Sequence, residues 1–279
     1  MTRAMPQGGA PPVPSPVPGI HHAIAVASGK GGVGKTTVAV NVAISLAKTG
    51  VRVGLLDADV YGPNVPKMMG VEDEPVAQDQ RILPVEAGGL KLMSLGFMLE
   101  EGTPVIWRGP MIAGALKQLI QEVAWGELDY LIMDLPPGTG DAALSLAQLI
   151  PLTGAVIVST PQEVALQDVR RSISMFQRLT VPVLGIVENM SYYVHPGTND
   201  RVEMFGHGGA RRMAEELGLG FLGEVPLDPG IGRGGDSGNP VAADEDSPLA
   251  EVFDGIALRL TEAVAELERQ DEEDDLPML

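Results

Sequence analysis

The stretch "AIAVASGKGGVGKTT", Ala23 to Thr37, constrains this chain more than any other. An apolar run breaks into glycines at 29, 31, 32 and 34, and a periodic apolar face at Val38, Val42 and Leu46 follows. Gly29-x-x-x-x-Gly34-Lys35-Thr36 is the spacing of a phosphate-binding loop set between a strand and a helix. Glycine tolerates positive φ, so backbone N–H groups can curl around an anion, and the following helix N-terminus adds its dipole. The loop Gly29, Lys30, Gly31, Gly32, Val33, Gly34, Lys35, Thr36 is therefore expected to bind phosphates. Lys35 is expected on the β- and γ-phosphates and the Thr36 hydroxyl on Mg²⁺. Lys30 is a second cation for which the motif alone has no use.

A strand-loop-helix unit of this kind belongs to a larger alternation. Apolar runs recur at Ala23–Ser28, Val51–Asp59, Leu90–Gly96, Tyr130–Pro136, Ala155–Thr160 and Val183–Asn189. Amphipathic stretches lie between or after them: Lys35–Lys48, Met111–Val123, Asp141–Ile150, Gln162–Leu179, Gly208–Leu217 and Pro248–Glu268. Nearly unbroken Val, Ile and Leu is the signature of strands covered on both faces. The expected fold is a single α/β domain of three layers, with a mostly parallel central sheet and helices on both faces. The first 20 residues hold six prolines and three glycines and are expected as a disordered leader. Residues 21–269 are expected as the body, and the acidic run 270–279 as a solvated tail.

Ligands of such sheets gather at the carboxyl ends of the strands, and two acidic candidates fall there. "LLDAD" ends a run in Asp57 and Asp59, and "YLIMD" ends another in Asp134. The second has the form of a Walker-B strand, which puts Asp134 on Mg²⁺ through a water. Gly138 and Gly140 follow it and can turn a backbone N–H toward a γ-phosphate. The plainer alternatives are a helix N-cap for Asp59 and a strand-end turn for Asp134.

Composition removes several function classes. The chain of 279 residues has no cysteine, which rules out disulfides, a thiol nucleophile and any thiolate-held metal or cluster made from this chain alone. The net charge is −18, with 13 of 37 acidic residues between Val241 and Leu279. So acidic a surface opposes nucleic acid and anionic lipid. No apolar run approaches a membrane span, and no basic-then-apolar signal pattern opens the chain, so a cytoplasmic protein is expected.

The loop with its additional lysine, "KGGVGKTT", resembles the deviant Walker-A loop of the class containing MinD, ParA and the nitrogenase iron protein. Within that class the chain resembles the Mrp/ApbC family of ATP-dependent iron–sulfur cluster carriers. The resemblance runs through "HHAIAVASGKGGVGKTTVAVNVA", "LLDADVYGPNVPKMMG", "VIWRGPM", "LDYLIMDLPPGTGD", "VENMSYY", "FGHGGARRMAEELG", "FLGEVPLDP" and "GGDSGNPV", from about residue 21 to 242. It implies a homodimer that encloses ATP and Mg²⁺, with Lys30 reaching across to the partner's phosphates. It implies Asp59 beside the attacking water, and the adenine near Asn189 and the segment Val225–Asp228, which contains Pro226 and Asp228. It also implies apo iron–sulfur proteins or assembly factors as partners, with neither nucleic acid nor membrane.

The chain departs from this family at one place. After "ENMSYY" the family carries C-P-x-C, whose cysteines hold a cluster between two subunits. Here His195-Pro196-Gly197-Thr198 stands there. His195 is the candidate iron contact at the motif position, yet one histidine per subunit gives two ligands where a cluster takes four; His207, in "FGHGG", is the other candidate, more simply read as a hydrogen-bonded loop residue. Three readings follow: a dimeric Mg-ATPase of cluster assembly or transfer; a cysteine-free paralogue acting as an ATP-switched scaffold; and a positioning ATPase. The last needs a membrane-binding or DNA-binding surface that the acidic charge opposes.

Overall fold

The structure, a computed structural model, describes residues 14–98, 109–138 and 141–274. Gly140, residues 105–108 of "VIWRGPM", residues 1–13 of the expected leader and residues 275–279 of the expected tail lie outside the described residues.

Strand β1 (Ile20–Ser28) feeds the glycine loop, then α1 (Lys35–Lys48), β2 (Val53–Asp57) and the short α2 (Val65–Met68). Three brief strands follow, β3 (Val76–Gln78), β4 (Arg81–Leu83) and β5 (Val85–Ala87), before β6 (Leu90–Ser94), α3 (Gly109–Gln121), β7 (Leu128–Asp134) and α4 (Asp141–Leu149). Then come β8 (Gly154–Ser159), α5 (Glu163–Arg178), β9 (Val183–Glu188), a small hairpin of β10 (Tyr193–Val194) and β11 (Arg201–Val202), and α6 (Gly209–Leu217). The chain closes with β12 (Phe221–Glu224), α7 (Pro229–Asp236) and α8 (Pro248–Asp274).

Eight strands form one sheet in the order β12-β9-β8-β1-β7-β2-β6-β5, parallel except for β5. This is the expected three-layer α/β domain. Alternation along β1 divides the core: Ala23, Ala25 and Ala27 face α3 to α6, where Leu116, Leu146, Phe176 and Met213 pack. Ile24 and Val26 face α1 and α8, where Val38, Leu46, Phe253 and Leu260 pack. Two apolar layers cover the strands, which is why they carry no polar stripe. The β1, β7 and β2 registers align Val26 with Asp134 and Asp134 with Asp57, so both carboxylates emerge at one level at the sheet's centre.

Helix α8 runs six residues beyond the expected end at Glu268, taking residues 270–274 of the expected tail into the helix; glutamate is a good helix former. Asp57 is wholly buried at the end of β2 and anchors the loop that follows. Its Oδ1 accepts from the Asp59 N–H at 3.2 Å, and its Oδ2 from the Val65 N–H at 3.1 Å and the Ser94 hydroxyl at 3.0 Å. Burial first, and then the charge of Asp134, push its carboxyl up from 3.8 to about 7 against those three hydrogen bonds. Between these two values the folded chain holds a proton that the unfolded chain has released, so stability falls as pH rises through that window. Asp57→Asn removes this contribution. Urea midpoints near pH 5 and near pH 8 are expected to lie closer together in the variant than in the parent; an unchanged gap refutes the assignment.

Candidate functional site

The carboxyl ends of β1, β2 and β7 bring four of the expected side chains together. Lys35, only 6% exposed, places Nζ 2.5 Å from Asp134 Oδ1 and 3.5 Å from Asp59 Oδ2. The Thr36 hydroxyl donates to Asp134 Oδ2 at 2.6 Å. Asp134 is fully buried, and that burial raises its carboxyl pKa against the pull of the Lys35 ammonium. Asp59 Oδ1 accepts from the Tyr61 N–H at 3.1 Å, which fixes the carboxylate at the mouth of the loop.

The loop is clamped from two sides. A Cβ on Gly29 would come within 2.5 Å of the Asp168 backbone carbon in α5, so the helix backbone passes directly behind the loop and only glycine fits. Gly34 has φ +79° and would place a Cβ 2.1 Å from Asn189 Nδ2. Asn189, at the end of β9, donates from that nitrogen to the Val33 carbonyl at 2.8 Å. The expected base contact thus also braces the loop.

Lys30 lines an opening of about 330 Å³ together with Gly31, Gly32, Lys35, Thr36 and Asp59. Among the described residues, the loop's ion pairs are those of Lys35. Gly138 lies beside the loop with φ +89°, and its N–H donates to the Ser28 carbonyl at 2.9 Å. In this structure that N–H is directed into the fold. A second cavity of about 490 Å³ opens from Gly34 and Thr37, with Asn189, Pro226 and Asp228 on its wall. Asp228 caps α7, its Oδ1 accepting from the Gly230 N–H at 2.6 Å.

His195 stands apart. It sits exposed in the turn between β10 and β11, where its Nδ1 accepts from the Gly197 N–H at 3.2 Å. Among the described residues, three potential metal ligands converge elsewhere, at Glu188, His207 and Glu224. Those groups are already spoken for. Arg201 Nη2 lies 3.0 Å from His207 Nδ1 and 2.8 Å from Glu224 Oε2. Glu188 accepts from the Ser191 hydroxyl and the Gly208 and Ala210 N–H groups at 2.6–2.9 Å. The sequence reading missed Asp57 as an anchor, although it stands in "DAD", and it missed Tyr193 and Met204 on the wall of the second cavity.

Hard oxygen donors beside a buried lysine suit Mg²⁺ and a nucleoside phosphate. The donor set suits an iron–sulfur cluster poorly: the chain has no thiolate, and His195 is not among the three potential metal ligands that converge among the described residues.

Comparison with known proteins finds relatives across most of the chain. A family model described as a NUBPL iron-transfer P-loop NTPase matches residues 19–261. An iron–sulfur cluster carrier protein of Aquifex aeolicus is 51% identical over 252 residues, covering 89% of this chain and 69% of the relative. One of Methanocaldococcus jannaschii is 49% identical over 249 residues, covering 88% and 86%. A nucleotide-binding protein of Archaeoglobus fulgidus, solved in complex with ADP, superposes with a TM-score of 0.74 at 41% identity, covering 84% of this chain and 92% of that one. The cell division ATPase MinD of Pyrococcus furiosus shares the fold, with a TM-score of 0.64 at 22% identity, covering 86% and 98%. The chain belongs to the NUBPL iron-transfer P-loop NTPase family, the cluster-carrier group that its sequence resembles, and it does so without a single cysteine.

Proposed function

We propose that this chain is an Mg-dependent ATPase that dimerises on ATP and serves iron–sulfur cluster assembly or transfer to apoproteins in the cytoplasm. The convergence of Lys35, Thr36, Asp59 and Asp134 under the glycine loop carries this reading. A buried lysine held by two carboxylates and the Thr36 hydroxyl can turn toward phosphate oxygens, which accept the same charged hydrogen bonds. Residues 21–269 act as the ATPase domain, together with Ile20 of β1 and residues 270–274 of α8.

The backbone of Gly29 to Gly34 cradles the phosphates, and Lys35 neutralises the β- and γ-groups. Thr36 and Asp134 would hold Mg²⁺, which supplies further charge neutralisation on the phosphates when bound. Asp59 borders the opening and orients the attacking water. Gly138, beside the phosphate loop, is the residue after β7 that contacts the γ-phosphate. Asn189, Pro226 and Asp228 line the base cavity. Lys30 reaches the phosphates of a second subunit, so that a cation arrives only on assembly and stabilises the transferring phosphoryl group.

The iron–sulfur cluster is cargo in this scheme. The relatives' names support that role, while this chain's donors do not complete a site. With His195 as the one available contact, a partner protein or a small thiol has to supply the remaining ligands.

Lys35→Ala removes the cation that meets the phosphates and leaves the loop backbone in place. ATP affinity measured by calorimetry is expected to fall about 100-fold, in keeping with the loss of charged hydrogen bonds; a change of only a few-fold refutes the role.

Lys30→Ala is expected to keep ATP binding and to lose dimerisation on a non-hydrolysable analogue together with turnover. Sizing by light scattering checks this, and a variant that dimerises and turns over like the parent removes Lys30 from the site.

Anaerobic reconstitution of the isolated protein with iron and sulfide is expected to give no chelator-resistant cluster. Iron counting and an absorption spectrum decide it. About four tightly held irons per dimer would overturn the argument from ligand count.

A further inference from the structure

The base cavity has one wall that the rest of the site does not explain. Tyr193, on β10, and Met204, two residues after β11, both line it. They belong to the hairpin whose turn carries His195, Pro196 and Thr198. The cavity opens at Gly34, the N-cap of α1, so a ligand with its phosphates in the loop sets its other end here. Pro226, Met190 and Tyr193 present flat or adaptable apolar surfaces, which suit a purine ring.

The hairpin is fixed at its root and slight beyond it. The Ser191 N–H donates to the Val225 carbonyl at 3.0 Å, and the Leu227 N–H to the Tyr192 carbonyl at 2.7 Å. The Arg201 guanidinium lies 3.8 Å from the Tyr192 ring centroid and pairs with Glu224. The strands match only Tyr193 with Val202 and Val194 with Arg201, so Arg201 ties the turn end of β11 back to the root. The segment His195–Asp200 is exposed, and Met204 is 56% exposed. A two-stranded ribbon this short owes its position to what it leans on. At Tyr193 and Met204 it leans on the cavity.

We propose that the β10–β11 hairpin is the movable outer wall of the purine cavity. Tyr193 and Met204 close on the base of a bound adenine nucleotide, and that closure displaces the His195–Asp200 turn. Nucleotide state is thereby transmitted to the position where the resembling family places its cargo motif, by a route independent of the phosphate loop. The inference rests on the nucleotide-binding reading above and adds a base-contact pair and a moving element to it.

The absence of cysteine makes the test direct. Thr198→Cys introduces a sole thiol at the exposed turn, to which an environment-sensitive fluorophore is attached. ADP is expected to shift the emission, whereas tripolyphosphate, which fills the loop without a base, is expected to leave it unchanged. In the labelled chain, Tyr193→Ala is expected to weaken ADP about tenfold, the scale of one lost base–aromatic contact, and to leave tripolyphosphate affinity as in the parent. At saturating ADP its emission shift is expected to fall below about half. Met204→Ala, at a half-exposed position that the fold does not depend on, is expected to reduce the shift as well. An equal shift with tripolyphosphate overturns the proposal, as does parental ADP affinity with the full shift in both variants. Failure of the labelled parent to bind ADP or ATP in calorimetry overturns the nucleotide reading and this inference together.

Discussion

The buried contact between Lys35 and Asp134 is the constraint around which the site is arranged. Taking an ammonium and a carboxylate out of water costs several kcal/mol per ion, and their attraction often does no more than offset it. The pair is therefore a poor device for stabilising a sheet. Its position follows from the register that sets Asp134 beside Val26 on β1, directly under the loop that begins α1. Asp59 adds a second carboxylate within 3.5 Å of the same ammonium. Asp57, at the same level, is pushed toward neutrality by burial and by Asp134, which limits the negative charge crowded onto one lysine. Two carboxylates thus face one ammonium, and that charge balance is set by the fold itself.

The loop above that pair is held by backbone and amide contacts from neighbouring elements as well as by its own glycines and the Ser28 hydroxyl. Helix α5 presses on Gly29, and Asn189 braces Val33 and Gly34 from the end of β9. The Asn189 N–H in turn donates to the Ser159 carbonyl at the end of β8 at 2.7 Å. Three neighbouring strand ends thus share one scaffold with the phosphate loop. The segment that leaves β9 continues directly into the hairpin, so the loop and the hairpin turn are two arms of the same strand end.

Legibility in the sequence followed burial. The six long strands and the six long helices were readable because two-sided burial writes continuous apolar runs and α-helical burial writes a periodic stripe. Lys35, Thr36 and Asp134 were readable because phosphate chemistry fixes their spacing and their place at strand ends. The short elements were not readable. Helix α7, "PGIGRGGD", holds four glycines, which disfavour a helix; the Asp228 cap and a proline in its first turn favour its start. Strand β12 has four residues, one of them Gly223 at φ +151°, and gains its place from pairing with β9. The β10–β11 hairpin has two residues per strand, too few for any period to show. Tyr193 and Met204 escaped notice for that reason: their relation to the cavity is tertiary and leaves no local pattern.

The contrast between the two arms explains how a cluster-carrier relative can lack cysteine and keep its architecture. Lys35 and Asp134 stand in the core, where removing one partner strands a buried charge and costs about 3–5 kcal/mol. His195 and Thr198 stand in an exposed turn whose hydrogen bonds are local: His195 Nδ1 accepts from Gly197, and the Thr198 hydroxyl accepts from Asp200. Exchange of side chains there leaves the root contacts at Ser191, Tyr192 and Arg201 untouched. Stability thus places a heavy constraint on the nucleotide arm and almost none on the turn. The same fold can therefore keep the buried Lys35–Asp134 contact while the side chains of the exposed turn vary.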